Sequence, residues 1–261
     1  MYSLFFRIFN ILILPFRFIR CCYHNELKKT NCNLYLVSDT NPKSILTWNI
    51  QSMCFFTNNR RVKNIIKYLK NFNCDILCLQ EVFEDNVKLK LINQLSDIYP
   101  YYLLGKTKKK YIIGEDSGLL ILSKYNINFI KEIEFSGNVC PDIMAQKTML
   151  YFSVGNFNFS TAHIHSNNKI ISEKHIKKSL YMSPFNEYIL LGDLNNCEAE
   201  NIVSINKNNN IPTCKNEILD YILPIGYKNK HFDISVIKIN LKDVTDHLPI
   251  KCIINNSEKI Y

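Results

Sequence analysis

Across this chain, apolar runs repeatedly stop at a carboxylate, an amide or an imidazole. Ile45-Leu46-Thr47-Trp48 ends at Asn49, and Ile76-Leu77-Cys78-Leu79 ends at Gln80-Glu81. Phe159-Ser160-Thr161-Ala162 ends at His163, and Ile189-Leu190-Leu191-Gly192 ends at Asp193-Leu194-Asn195. Ile218-Leu219 precedes Asp220, and Asp246-His247 precedes the last apolar run. One polar strand end is an ordinary cap. Six of them imply groups converging at one mouth of a sheet scaffold. Glu81 and Asp246 with amide oxygens would make a hard, oxygen-rich site for Mg²⁺, or Mn²⁺ in its place, rather than zinc. The His residues have no suitable Ser or Cys partner, which argues against a covalent triad. A metal, an orienting carboxylate and a general-base His suit attack of water on a phosphorus ester. Asp220 is placed to hold His247 in one tautomer.

Strands and helices must carry these groups. Ser44–Ile50 reads as a strand, and Arg60–Phe72 carries Val62, Ile65, Ile66 and Leu69 at helical spacing. Asp75–Leu79 is a short apolar strand of the kind buried on both faces, and Glu84–Leu95 is again helical. Consecutive strands follow at Tyr101–Leu104, Gly118–Ser123, Ile127–Phe135, Lys147–Val154 and Phe157–His163. A helix over Ile170–Leu180 and a strand over Tyr188–Leu191 come next, then strands at Leu219–Leu223, Asp233–Ile239 and Leu248–Ile254. Helices around a strand-rich middle indicate an α/β sandwich of two packed sheets with helices outside.

Composition is consistent with one large folded domain. The 261 residues are 47% hydrophobic and only 21% charged, which excludes wholesale disorder. A formal charge of +9 favours an anionic partner: nucleic acid, an anionic membrane or a phosphorylated substrate. Ten Cys residues form no disulfide framework and no CxxC pair, so they read as reduced thiols in a cytosol-like compartment. The basic loop Lys106–Lys110 beside Tyr111 reads as a solvated turn that could also contact a nucleic-acid backbone.

The N-terminus differs in kind. Ile8–Ile19 is nearly all apolar but is interrupted by Asn10 and Pro15 and flanked or entered by Arg7, Arg17 and Arg20. It is short for a span, and Arg20-Cys21-Cys22 makes a poor signal-peptide cleavage site. The expectation is a membrane-associating segment within residues 1–43, with residues 1–24 at the bilayer and Cys21 and Cys22 open to palmitoylation. The basic cluster after the apolar run would keep a catalytic domain of residues 44–256 on the cytosolic side; the alternative is a cytoplasmic protein.

Seven segments also carry a family resemblance: TWNI (47–50), LQEVF (79–83), SGLLILSKY (117–125), TAHIHS (161–166), GDLNN (192–196), LDYIL (219–223) and TDHLPI (245–250). Their order resembles that of the endonuclease/exonuclease/phosphatase superfamily. This group includes secreted DNases, abasic-site endonucleases, neutral sphingomyelinases, deadenylases and inositol-polyphosphate phosphatases. The resemblance implies a four-layer α/β sandwich with two mixed β-sheets flanked by helices, and a Mg²⁺-dependent hydrolase. It further implies Glu81 as principal metal ligand with Asn49 close to it, and Asp246 supporting the metal or water site. Asp193 would orient the attacking water, Asn195 would hold a phosphate oxygen, and His163 would donate to the phosphate. His247 would be the general base, steered by Asp220. Asn196 and His165 match no position of the pattern and are read as structural.

For substrate, the resemblance favours a lipid phosphodiester. The run from LQEVF through IYPYY to DSGLLILSKYNI is similar to neutral sphingomyelinases, as is Asp142-Ile143-Met144-Ala145-Gln146-Lys147, with Thr148 where Gly usually follows. Asn49-Ile50-Gln51 is closer to the DNase version of the first motif, so nucleic acid is the alternative.

Overall fold

The computed structural model describes residues 41–53, 58–105, 115–204 and 211–256. The N-terminal segment 1–24 and the basic run Lys106–Lys110 with Tyr111 lie outside the described residues.

The first strand, β1 (Ser44–Ser52), is followed by α1 (Asn59–Phe72), β2 (Ile76–Val82) and α2 (Asp85–Leu95). The chain then forms β3 (Tyr101–Leu104), β4 (Leu120–Ser123), β5 (Asn128–Glu134), a 3₁₀ turn at Asp142–Met144, β6 (Thr148–Val154) and β7 (Phe157–His163). It continues with α3 (Lys169–Tyr181), β8 (Tyr188–Asp193), α4 (Ala199–Val203), β9 (Asp220–Ile225), β10 (Lys230–Val236) and β11 (Ile250–Asn256). Six strands in the order β10-β11-β1-β2-β4-β3 make one sheet and five in the order β5-β6-β7-β8-β9 make the other. Both are mixed: β1–β2 and β7–β8 are the parallel pairs, and the other pairings are antiparallel.

Side-chain alternation along each strand builds three apolar layers, which is how two sheets and their helices become four layers. On β1, Ile45 faces the other sheet, whereas Leu46, Trp48 and Ile50 face Val62, Ile65 and Leu69 of α1 and Leu91 of α2. Between the sheets, Ile76, Cys78 and Ile121 meet Phe152, Phe159, Ile189 and Leu191. On the far side, Met149, Tyr151 and Leu190 pack on Ile176 of α3 and Ala199 of α4. Each fully buried aliphatic side chain here contributes about 1.5–3 kcal/mol relative to exposure. Helices α1 and α3 are capped by side chains: Asn58 accepts from Arg61 N at 2.9 Å, and Asn168 accepts from Ile171 N at 3.1 Å.

The sequence expectation placed the tenth strand over Asp233–Ile239, but it spans Lys230–Val236. Ile234 and Val236 face the inter-sheet core, whereas Ile237 and Ile239 turn to pack beside Trp48 and Val62 on the opposite face. An apolar run that changes faces cannot remain one strand. Helix α4 has no counterpart in the expectation, because five residues are too few to show a helical period.

Candidate active site

Strand register assembles the site. On the five-stranded sheet, His163 pairs with Asp193 across β7–β8, and Asp193 pairs with Asp220 across β8–β9. The inward sequence Phe157, Phe159, Thr161 continues at a two-residue step to His163, and Ile189, Leu191 continues to Asp193. The groups that would do chemistry are therefore the next inward positions beyond the core. Gly192 permits this packing: its φ is +134°, and a Cβ there would lie 2.1 Å from the Ala162 carbonyl oxygen.

On the six-stranded sheet the same step takes Ile45 through Thr47 to Asn49 and Ile76 through Cys78 to Gln80. Glu81 would then face the helices, alongside Leu77 and Leu79. Instead its φ is +55°, opposite a register shift between Asn49 and Ser52 where Gln51 has φ +48°. This left-handed step redirects the Glu81 carboxylate toward Asn49, and such strain in a non-glycine residue persists only where its surroundings enforce it. Here Val82 N donates to Gly118 O at 2.9 Å, and Gly118 lies so close that a Cβ would reach the Phe83 ring at 2.6 Å.

The two sheets meet through Asn49, whose Nδ2 donates to Glu81 Oε1 at 2.9 Å and to Asp193 Oδ2 at 2.8 Å. Its Oδ1 accepts from Gln51 N at 3.0 Å. In this orientation, which follows from the hydrogen-bond network, Asn49 clamps two carboxylates; service as a metal ligand would require its amide to turn over. His163 Nε2 lies 3.5 Å from Glu81 Oε1 and 3.8 Å from Asp193 Oδ2. His247 Nε2 lies 3.9 Å from both Asp193 Oδ2 and Asp246 Oδ1, and its Nδ1 is 2.7 Å from Asp220 Oδ2. Thus Glu81, His163, Asp193, Asp220, Asp246 and His247 form one contiguous cluster with Asn49. Asn195 flanks it, held at φ +45° with Nδ2 donating to Ile164 O at 3.0 Å. Asn196 is buried against Ser172 Oγ at 3.0 Å, and His165 lies 3.1 Å from Asp142 Oδ2; neither belongs to the central set.

The Asp246-His247 turn is anchored from below. Trp48 Nε1 donates to His247 O at 2.9 Å, Thr245 Oγ1 donates to Asn49 O at 2.9 Å, and the Arg61 guanidinium donates to Val244 O and to Ile50 O. Beside His247, an open cleft of about 500 Å³ is lined by Asn195, Cys214, Lys215, Asp246 and His247 among others.

Two residues at the site have no role in the sequence reading. Lys147 is buried with Nζ 3.0 Å from His163 Nε2 and 3.3 Å from its Nδ1, donates to Ile164 O at 3.3 Å and pairs with Asp142 Oδ1 at 3.1 Å. Cys214 forms an isolated antiparallel bridge with His247. The signal for Lys147 was its place in the Asp142–Lys147 segment. For Cys214 there was none.

Charge in this cluster is strongly redistributed. Burial, and then the nearby Lys147 ammonium, hold His163 well below the ordinary imidazole value, so the cation facing it is Lys147. Burial and then the neighbouring Asp220 charge push Asp193 up to about 7. Burial also raises Glu81, against the lowering effect of its Asn49 hydrogen bond. For His247 burial disfavours the charge, but Asp220 overrides it and the imidazole is pushed up to about 12.

Comparison with known proteins places this arrangement. Residues 46–224 match the model of the Endonuclease/Exonuclease/phosphatase family. The chain belongs to that family. Its members are metal-dependent phosphoester hydrolases, and this endonuclease/exonuclease/phosphatase protein is an enzyme of that kind. Similar solved structures include sphingomyelinase C from Streptomyces griseocarneus, with a TM-score of 0.65 and 15% identity over 83% of this chain and 100% of that one. Beta toxin from Staphylococcus aureus carrying F277A and P278A, with bound magnesium ions, has a TM-score of 0.65 and 17% identity over 82% of this chain and 99% of that one. D. rerio TDP2 complexed with single-strand DNA product has a TM-score of 0.58 and 16% identity over 83% of this chain and 100% of that one. No curated protein sequence matches the chain.

The family's divalent cation fits the side chains present. Glu81 Oε2 is buried without a hydrogen-bond partner among the described residues, as is Asp246 Oδ1. Glu81, His163 and Asp193 bring donor atoms within 4.8 Å of one another. Buried carboxylates whose ionisation is opposed by desolvation are stabilised by a nearby cation.

Proposed function

We propose that this endonuclease/exonuclease/phosphatase enzyme hydrolyses the phosphodiester of a membrane phospholipid, sphingomyelin being the favoured case, with Mg²⁺ as its metal and Mn²⁺ able to replace it. The observation that carries the reading is Lys147. The Asp142–Lys147 segment, which is similar to neutral sphingomyelinases, delivers an ammonium group to within 3.0 Å of His163. Further support comes from the fold shared with a sphingomyelinase C and from exposed Val139, Ile143 and Ile170 on the segments next to Asp142 and Lys169. Residues 1–24, with their apolar and basic character, would hold the enzyme at the cytosolic face of a bilayer.

In this reading Glu81 and Asp246 hold the ion, with Asn49 fixing the Glu81 carboxylate. When bound, the ion supplies Lewis-acid polarisation of the phosphoryl group. Asn195 binds a non-bridging phosphate oxygen, while Lys147, its ammonium held by Asp142, Ile164 O and His163, supplies positive charge behind His163, which completes the phosphate-facing wall. Asp193 Oδ2, central among Asn49, His163 and His247, accepts a hydrogen bond from the attacking water and aims it. His247 Nε2 takes the water's proton, and the Nδ1–H bond to Asp220 fixes the tautomer and stabilises the imidazolium.

The nucleic-acid alternative rests on the Asn49-Ile50-Gln51 motif and the likeness to a structure holding a single-strand DNA product. Purified protein with Mg²⁺ should release phosphocholine from sphingomyelin vesicles and leave supercoiled plasmid intact. Plasmid nicking with untouched vesicles would overturn the lipid reading in favour of a nuclease.

A further inference from the structure

Cys214 lies beside the proposed general base although the hydrolytic chemistry above makes no use of a thiol. It is a free, buried cysteine whose Sγ lies within 4.8 Å of donor atoms on Asp246 and His247, and those two lie within the same distance of each other. The chain holds it there firmly. Thr213 N and Cys214 N both donate to Glu217 O, at 2.9 and 3.1 Å, and Glu217 N donates back to Cys214 O at 2.9 Å. Thr213 Oγ1 accepts from Leu219 N at 3.0 Å and Asp220 N at 3.1 Å, so the turn is tied to the residue that orients His247. Leu248 N donates to Thr213 O at 2.7 Å, completing the bridge that makes Cys214 and His247 cross-strand neighbours.

We infer that Cys214, Asp246 and His247 form a second cation site, adjoining the oxygen-rich site at Glu81 and sharing Asp246 with it, that takes zinc and thereby inhibits the enzyme. A thiolate, an imidazole and a carboxylate are the donors of protein zinc sites, whereas Mg²⁺ avoids sulfur. Tetrahedral zinc places its ligand atoms about 3.5 Å apart, so side-chain movements of about 1 Å bring the three donors to bonding distance. The His247 environment already has the form of a zinc-binding histidine, whose second nitrogen donates to a carboxylate: Nδ1 is 2.7 Å from Asp220 Oδ2. Zinc on Nε2 occupies the lone pair that takes the water's proton, and zinc on Asp246 draws that carboxylate from the Glu81 site, so turnover stops. The fourth position opens to the cleft, where water or a substrate oxygen completes the shell. The inhibitory consequence rests on the functional reading above; the binding site itself does not.

Two measurements on the full chain separate these claims. In saturating Mg²⁺, zinc should inhibit turnover of a chromogenic diester, and Cys214→Ser should raise the inhibiting zinc concentration about 10- to 100-fold while keeping zinc-free turnover. Equal zinc sensitivity of wild type and variant would overturn the site. Independently, Cd²⁺ titrated into wild type should produce a thiolate-to-cadmium absorption band that weakens in Cys214→Ser but persists in Cys197→Ser; a band unchanged by Cys214→Ser would also overturn the proposal. Because the band needs no catalysis, absence of diester turnover would count against the functional reading alone.

Discussion

Replacing Asp116 with Asn should cost this fold about 3 kcal/mol, although no mutated atom touches substrate. Lys88 and Asp116 form an ion pair with side chains 1% and 2% exposed. Removing one partner of such a pair leaves an uncompensated buried charge, at about 3–5 kcal/mol. Lys88 keeps Asp85 Oδ1 at 3.1 Å and Phe83 O at 3.3 Å, which sets the expectation at the lower end of that range. Asn preserves an oxygen for the Gly118 N–H, which Asp116 Oδ1 accepts at 2.9 Å, so the substitution isolates the charge. The single Trp, Trp48, is fully buried against α1, so its fluorescence in urea reports global unfolding. In a domain of this size the loss corresponds to a Tm lower by about 6–12 °C. The double replacement Lys88→Met with Asp116→Asn removes both charges, keeps the Gly118 hydrogen bond and should return to within about 1 kcal/mol of wild type. A single-variant cost below about 1 kcal/mol, or a double variant as unstable as the single one, would refute the reasoning.

Gly192→Ala should destabilise by more than about 3 kcal/mol, because its Cβ would meet the Ala162 carbonyl oxygen at 2.1 Å; a normal urea midpoint would contradict this close strand contact. Lys147→Met should lower turnover about 100-fold while calorimetric Mg²⁺ affinity is retained, and a matching loss of Mg²⁺ affinity would place Lys147 in the metal site instead. Burial lowers the His175 imidazole from 6.5 to about 4, against a hydrogen bond to Ser136 O that raises it. Between those values the unfolded chain holds a proton that the folded one lacks, so stability present above pH 6.5 falls as pH drops toward 4. Urea midpoints at pH 4.5 and 7.0 should differ less in His175→Gln than in wild type, and an unchanged difference would discharge His175 from that role.

The convergence of the polar strand ends was legible because alternation is a local property: a buried strand leaving the inter-sheet core can only place its next inward residue at the mouth. His163, Asp193 and Asp220 needed no knowledge of partners for this, and their register then brought them side by side. Glu81 was legible as a strand-end carboxylate but not as a reversal of alternation, since left-handed backbone at a non-glycine residue leaves no compositional trace. Lys147 was hidden for a different reason. Lys and Arg together number 32, and only the packing of Asp142 against Ser166 and His165 shows that this one turns inward. Cys214 lies in an aperiodic stretch, and its approach to His247 depends on a turn closed by Glu217. The shift of the tenth strand shows the same limit: which face Ile237 and Ile239 choose is decided by space beside Trp48, not by their own preferences.

The central claim is that one cluster of carboxylates and imidazoles, drawn from both sheets, uses a divalent ion to cleave a phosphodiester. The most direct measurement is diester turnover against Mg²⁺ concentration in wild type and Glu81→Gln, which keeps the size of the side chain and removes its charge. Saturable, EDTA-sensitive turnover that falls at least about 100-fold in the variant is the expected result. Turnover indifferent to Mg²⁺, or equal in the two proteins, would contradict the account.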